Sequence, residues 1–480
     1  NDEASAESVK VALDSETTQA LLQEVPAAYR TQINDILLAA LTRTIQSWSE
    51  NQDVWVNLEG HGREPLFDDI DLSRTVGWFT TIYPVRLDSE LSASEGEVIK
   101  AVKETLRSIP CRGIGYGMLR YLQQNGVSDE LREVNPEISF NYLGRVDQML
   151  PAGLSLAEES FGELRADSQL RPHLLDVVAI VAGGKLEISW TFSRNLHDEE
   201  TVRQLVDTYV AELCKIVDHC RSLERPCNTP SDFPLAQLDQ RQLDHVLDTD
   251  GLVEDIYPVS APQSGILFQT LYAPESPRYY QRVSCNLAGE FNLDAFQHAW
   301  DVVIKRHPVL RTRFVWSGVP EPLQVVDANA TLACHVEDLR SLAADEKEQR
   351  ISDISHQDEN AALDLSQAPL MRLSLLQLED DRWKVFWGFH HAILDGWSIP
   401  LVLKEVLLAY ELHVRGTAIE LEPARPYGEY VAWLQQSDMA PAKDYWKKQL
   451  EGVRSATPLG LPEISGRKDT GSSKQSKHTT

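Results

Sequence analysis

Apolar residues change their spacing several times along this chain, and each change marks an element. Between Thr31 and Trp48 they fall at Ile33, Ile36, Leu37, Ala40, Leu41 and Ile45, the recurrence of a helix with one buried face. Shorter apolar runs at Val54–Leu58, Ile82–Leu87, Glu137–Tyr142, Val177–Val181 and Leu186–Phe192 predict strands. Helical spacing returns over Asp198–Cys220, through Val202, Leu205, Val206, Tyr209, Val210 and Leu213. Residues 221–255 lose the pattern and gain Pro226, Pro230, Pro234, Asp and Gln, which predicts a linker. Beyond it, a helix is predicted over Leu293–Arg306, strands near Leu370–Leu378 and Trp383–Phe389, and a helix over Ser398–Val414 with Ser398 as N-cap. The expected organisation is a first body at 1–220, a linker at 221–255, a second body at 256–462 and a flexible tail at 463–480. The polar opening, residues 1–18, is also expected to be flexible. Helices mixed with strands in both bodies predict an α/β (α+β) class with two sandwich-like lobes.

Composition narrows the functions. Of 480 residues 42% are apolar, enough for sizeable cores, while a formal charge of −28 would repel a phosphate backbone and argues against nucleic acid. No apolar run approaches the ~18 residues of a membrane span, and the acidic start Asn1–Ser8 is no signal peptide, so a cytoplasmic protein is expected. The first residue is not Met, so the chain is expected to begin inside a longer one. The cysteines at 111, 214, 220, 227, 285 and 334 form no CxxC pair and are read as reduced thiols; no metal site is expected.

Several short motifs carry chemistry. In the first body these are Asn34-Asp-Ile-Leu-Leu-Ala-Ala40, Glu59-Gly-His-Gly-Arg-Glu64, Arg74-Thr-Val-Gly-Trp-Phe-Thr80 running on to Tyr83-Pro84, Gly113-Ile-Gly-Tyr-Gly117 and Phe140-Asn-Tyr-Leu-Gly144. In the second they are Tyr257-Pro-Val-Ser-Ala-Pro-Gln-Ser-Gly-Ile-Leu267, Arg306-His-Pro-Val-Leu-Arg-Thr-Arg-Phe314, His390-His-Ala-Ile-Leu-Asp-Gly-Trp-Ser398 and Tyr427-Gly-Glu-Tyr-Val-Ala-Trp433. The first set resembles the C-terminal half of the epimerization domains of nonribosomal peptide synthetases. The second resembles the N-terminal half of their condensation domains, His390–Gly396 matching HHxxxDG. The resemblance implies two chloramphenicol-acetyltransferase-like sandwich lobes, each a mixed sheet with packed helices. It implies no covalently bound cofactor: substrates would arrive as thioesters on the phosphopantetheine arm of partner carrier domains. The other partners would be the missing lobes of the parent synthetase, with no nucleic acid and no membrane.

The chemistry agrees with that resemblance. An α-amine of pKa roughly 7.7–8 needs positioning and a proton acceptor to attack a thioester carbonyl, and an imidazole near 6.5 suits the task. The resemblance assigns this role to His391 beside His390, as general base or as a group that orients the amine. Asp395 is read as a structural ion-pair partner, with Arg311 or Arg306 opposite it, and Gly396 as a residue whose backbone angle is closed to other side chains. Inversion at Cα needs acid/base groups on both faces of an enolate-like species. The resemblance gives one of them to Glu59, with Asn141, Tyr142, His61 and Arg63 lining the site. The other would be a histidine of a motif that this chain lacks. Epimerase activity, and with it condensation, is therefore expected to be absent from the isolated chain. The resemblance also implies a D-configured donor and an L-configured acceptor. Trp78, Phe79 and Tyr83 are read as core and lobe packing, Tyr116 with its glycines as a tight loop, and Asp68–Asp71 as a solvated acidic loop. Competing classes are a non-catalytic platform that docks carrier domains, a stand-alone acyltransferase, and a permuted hybrid domain with His391 opposite Glu59.

Overall fold

The computed structural model describes residues 1–64, 70–122, 131, 134–146, 165–248, 251–274 and 276–453. Asp68, Asp69 and the expected tail lie outside them. Asn1–Pro426 form one compact unit and Tyr427–Thr480 a second.

The first body is a six-stranded mixed sheet in the order β1-β6-β5-β4-β2-β3. Its strands are β1 (Ala6–Ala12), β2 (Asp53–Gly60), β3 (Thr81–Asp88), β4 (Ile138–Arg145), β5 (Leu175–Ala182) and β6 (Lys185–Ser193). β4 runs parallel to both β2 and β5, and the other pairs are antiparallel. Alternation fixes the faces: Leu175, Val177, Ala179 and Val181 of β5 point into the core. There they meet the apolar stripes of helices Ile33–Ser49, Glu95–Ser108 and Glu199–Ser222. The opposite face carries Trp55, Asn57 and Glu59 of β2 and Ile82 of β3, and both Trp55 and Ile82 are exposed there.

The polar opening is not flexible. Residues 6–12 pair with β6 as an edge strand, and Val9, Leu13 and Thr18 are buried. So few apolar positions make a weak pattern, and the sheet edge supplies the order. The Gly113–Gly117 stretch is also not a loop: Ile114–Tyr121 is a helix.

The expected linker is itself folded. Pro230–Asp232 makes a 3₁₀ turn and Gln240–Leu247 a helix. Phe233, Leu238, Leu243 and Val246 form a small core with Val253, Ile256, Leu323 and Val325. Those last residues belong to an antiparallel sheet β7-β10-β9, with β7 at Val253–Pro258, β9 at Thr312–Val315 and β10 at Leu323–Asp327.

The second body's main sheet has the order β11-β12-β13-β8. β8 spans Tyr280–Ala288, β11 Cys334–Asp338, β12 Met371–Glu379 and β13 Arg382–His390. It is sandwiched. Trp387 and Phe389 of β13 pack under helices Leu293–Arg306 and Ser398–Val414, while Phe386 meets Ile354 of helix Ala344–Asn360 on the other side. The two mixed-sheet lobes agree with the expected class. In the second unit, helix Tyr427–Gln436 carries a row of rings, Tyr427, Tyr430 and Trp433, and helix Ala440–Gln449 follows it.

Candidate active sites

β13 ends at His390, and the turn that follows carries His391 and Asp395 into helix Ser398–Val414. His390 follows Phe386 and Gly388 on the side of β13 that faces helix Ala344–Asn360, and it is 4% exposed. Its Nδ1 accepts from the Ala392 amide at 3.2 Å, so its proton sits on Nε2, 3.3 Å from Thr270 Oγ1. Thr270 in turn donates to the Ile266 carbonyl at 2.9 Å. Burial, with His391 adding to it, pulls the His390 imidazole down to about 4. His390 is thus a neutral, fixed wall.

His391 differs. Its amide donates to the Tyr279 carbonyl at 2.8 Å, and its Nδ1 lies 2.7 Å from the Leu394 carbonyl oxygen. A carbonyl only accepts, so Nδ1 carries a proton, and in the neutral imidazole the lone pair is then on Nε2. His391 is only half-buried. A fixed tautomer with an unprotonated Nε2 is the state a proton acceptor needs.

The loop is held from below by a residue that sequence reasoning missed. Gln263, in the opening motif, is buried, and its Nε2 donates to the Ala392 carbonyl at 2.9 Å and to Gln324 Oε1 at 2.8 Å. Its Oε1 accepts from Ser260 N and Oγ, both at 2.9 Å. A Ser-x-x-Gln capping box was the signal that could have found it.

Asp395 is not an ion-pair partner of either arginine. Its Oδ1 accepts from Ser398 N at 2.8 Å and Ser398 Oγ at 2.6 Å, which lowers its carboxyl below the usual range. It caps the following helix, so Ser398 is capped rather than capping. Arg311, 3% exposed, is used elsewhere: it donates to the Ile304, Lys305 and Asp327 carbonyls and to Glu254 at 2.7 Å. Arg306 and His307 share Glu405, at 3.0 and 2.7 Å. Gly396 needs no special angle either: its φ lies outside the left-handed region and a Cβ there would meet open space. The glycine that is required is Gly388, where a Cβ would fall 1.7 Å from Tyr280 Oη.

In the first body Glu59 is the penultimate residue of β2, exposed on the open face and without a partner among the described residues. Asn141 lies on the same face of the neighbouring β4, because Asn57 and Ser139 are in register two residues earlier. Tyr142 turns the other way and packs on the core, and burial raises its hydroxyl. His61 is exposed, accepts from the Arg63 amide at 3.0 Å and pairs with Glu64 at 3.3 Å. Arg63 donates to the Leu72 and Thr75 carbonyls at 2.7 and 2.6 Å and lies over Phe79 at 4.3 Å, so it ties this loop to the next. Gly62 makes that crossing possible: at φ +64 its Cβ would strike the Phe79 carbonyl oxygen at 1.6 Å. Trp78 is no core residue of this body, being 90% exposed, whereas Tyr83 is buried.

The same face holds a network that no motif announces. Asn57 donates to His173 Nε2 at 2.9 Å, and His173 Nδ1 faces Asp176 at 3.2 Å. Burial opposes ionisation of Asp176, but hydrogen bonds from His173, Ser139 and Arg171 outweigh it and hold the carboxyl at about 2. Its members come from three stretches, Asn57, Ser139 and residues 171–176, so no local pattern joins them.

The family model described as "Condensation domain" matches residues 1–238 and 253–480. The chain therefore belongs to the condensation-domain family, as a condensation-type region of a nonribosomal peptide synthetase. It is 42% identical over 468 residues to one polypeptide of the linear gramicidin synthase of Brevibacillus parabrevis, covering 96% of this chain and 6% of that protein. Chondramide synthase of Chondromyces crocatus is 36% identical over 527 residues, covering 100% of this chain and 13% of that protein. Bacitracin synthase 3 of Bacillus licheniformis is 35% identical over 452 residues, 94% and 7%. The chain thus spans only a small part of these relatives' lengths. Among solved structures, the epimerization domain from the third module of tyrocidine synthetase B is 38% identical, with a TM-score of 0.43 and coverage of 46% of this chain and 49% of that one.

Proposed function

We propose that the second body is the N-terminal lobe of a condensation domain that forms a peptide bond between two carrier-borne thioesters, and that the first is the C-terminal lobe of an epimerization domain. The observation that carries the reading is the His391 tautomer: Nδ1–H fixed on the Leu394 carbonyl, Nε2 open. In the condensation step the acceptor's amine nitrogen bonds to the thioester carbon, and Nε2 of His391 takes the ammonium proton from the tetrahedral species. The C–S bond then breaks and the departing thiolate recovers a proton from the imidazolium. His390, neutral and buried, shapes the wall and moves no proton. In the epimerization lobe Glu59 exchanges a proton with Cα on one face of the substrate. A histidine from a further lobe would serve the other.

The donor is D-configured and the acceptor L-configured in this reading, because an epimerization lobe precedes the condensation lobe. Both phosphopantetheine arms come from partner carrier domains. Large exposed apolar side chains beside each site, Trp397 in the His391 turn and Trp78 near Glu59, support a covering lobe at each. The isolated chain is accordingly expected to form neither product.

The test is product formation by the parent synthetase. His391→Ala should lower peptide-bond formation by about 10²–10⁴-fold, and Glu59→Gln should leave the donor residue L-configured. A synthetase carrying both substitutions that still delivers the epimerized, condensed product would overturn the reading.

A further inference from the structure

A cavity of about 240 Å³ lies against His390. Its walls include Leu271, Tyr279, Trp316, Leu363 and the small pair Ala361 and Ala362. Two links join it to His391. The His391 amide is bonded to the carbonyl of Tyr279, whose ring is a wall, and His390 closes one side. The far wall is fixed: Arg372 donates to the Ala361 and Ala362 carbonyls, both at 2.7 Å, and Arg282 donates to the Ser355 carbonyl at 2.8 Å and to Glu359 at 2.7 Å.

The chemistry of the walls selects the occupant. The two carboxylates at the cavity are both engaged, Glu359 by Arg282 and Asp364 by the Ser366 amide and hydroxyl at 2.9 and 2.6 Å. His390 has both ring nitrogens engaged. What remains is mainly aromatic and aliphatic surface, with the hydroxyls of Thr270 and Ser276 beside it and no uncompensated charge to meet a charged guest. Size agrees, since an apolar cavity of ~150 Å³ already takes up benzene.

We propose that this cavity receives the apolar or aromatic side chain of an aminoacyl or peptidyl thioester during condensation, with Ala361 and Ala362 setting the largest side chain accepted. The proposal rests on the condensation reading of His391. Either thioester could present such a side chain, so the two are varied separately.

The experiment is peptide-bond formation by the parent synthetase with Ala361→Phe, Ala362→Phe and Trp316→Ala. Leucine or glycine is loaded in turn on the acceptor carrier and, independently, on the donor carrier. All three line the cavity and are also exposed to solvent, so the substitutions spare the core. Filling the cavity should lower the rate for leucine relative to glycine by about 10–200-fold on one of the two carriers, and Trp316→Ala should shift preference toward a larger side chain on that same carrier. Equal effects on leucine and glycine on both carriers, or none, would overturn the proposal. His391→Ala runs beside them. Bond formation that survives it sinks the condensation reading, whereas an inactive His391→Ala with unselective Ala361→Phe sinks only the cavity.

Discussion

Gln263 and Ala392 are 129 residues apart and meet through one hydrogen bond of 2.9 Å, from the side-chain amide to the backbone carbonyl beside the two imidazoles. The opening motif therefore holds the histidine turn from beneath. Removing the amide leaves the Ala392 carbonyl, Gln324 and Ser260 short of a partner in a buried place. Gln263→Ala should cost on the order of 1–3 kcal/mol, read as a lower urea midpoint of the chain. In the parent synthetase it should lower turnover by more than Ser260→Ala does.

His390 makes stability depend on pH. Its folded value, about 4, lies below the unfolded value of 6.5, so the unfolded chain binds the proton first. The stabilisation is whole above about pH 6.5, falls as the pH drops toward 4, and is gone below that. At a shift of this size it is worth roughly 3 kcal/mol. A His390→Gln chain should lack this component. The gap in denaturation midpoint between parent and variant should change between pH 7 and pH 4, and a constant gap would count against the neutral, buried imidazole.

Lys103 is 1% exposed and donates to both Asp232 carboxylate oxygens, at 2.8 and 2.7 Å, and to the Tyr29 carbonyl at 2.8 Å. Burial lowers its ammonium, and the Asp232 carboxylate works against that. Lys103→Met leaves Asp232 facing an apolar wall and should cost roughly 3–5 kcal/mol. Lys103→Met with Asp232→Leu should recover most of that loss. Calorimetry distinguishes the two: the single variant should melt in two steps at the junction, the double variant closer to the parent.

Tyr280 lies over Gly388, and its hydroxyl donates to Asp358. A methyl at 388 cannot be accommodated without moving that ring. Gly388→Ala should destabilise the second body by about 1–3 kcal/mol, and adding Tyr280→Ala should relieve the overlap. Paired melting curves test this; no change with Gly388→Ala alone would contradict the close approach.

Much of this was legible in the chain. Helices Leu293–Arg306 and Ser398–Val414 end where periodicity puts them, because each carries a full apolar stripe into a core. The seven strands that the pattern predicts lie within a few residues of those observed for the same reason, whereas it predicts none of β7 to β11. The misreadings share a cause. The opening strand has little apolar signal of its own and exists because β6 offers it an unpaired edge. Asp395 reads in sequence as the partner of a distant cation, but the Ser398 amide three residues on claims its carboxylate instead. Arg306 and Arg311 look free in sequence, yet Glu405 and Glu254 claim them from 99 and 57 residues away. The small core around Phe233 draws its members from the supposed linker itself and from β7 and β10 beyond it, so no single window shows it.

That folded junction has a consequence for anyone recombining such synthetases. A cut between Thr229 and Asp232 would part Lys103 from Asp232, one between Phe233 and Pro258 would split the core around Phe233, and one between Asp232 and Phe233 would part Phe233 from Arg30, which lies over its ring at 5.6 Å. The cuts compatible with transplanting either lobe are those that carry helix Glu95–Ser108, the junction and β7 as one piece, so the heritable unit here straddles the boundary that the motifs draw.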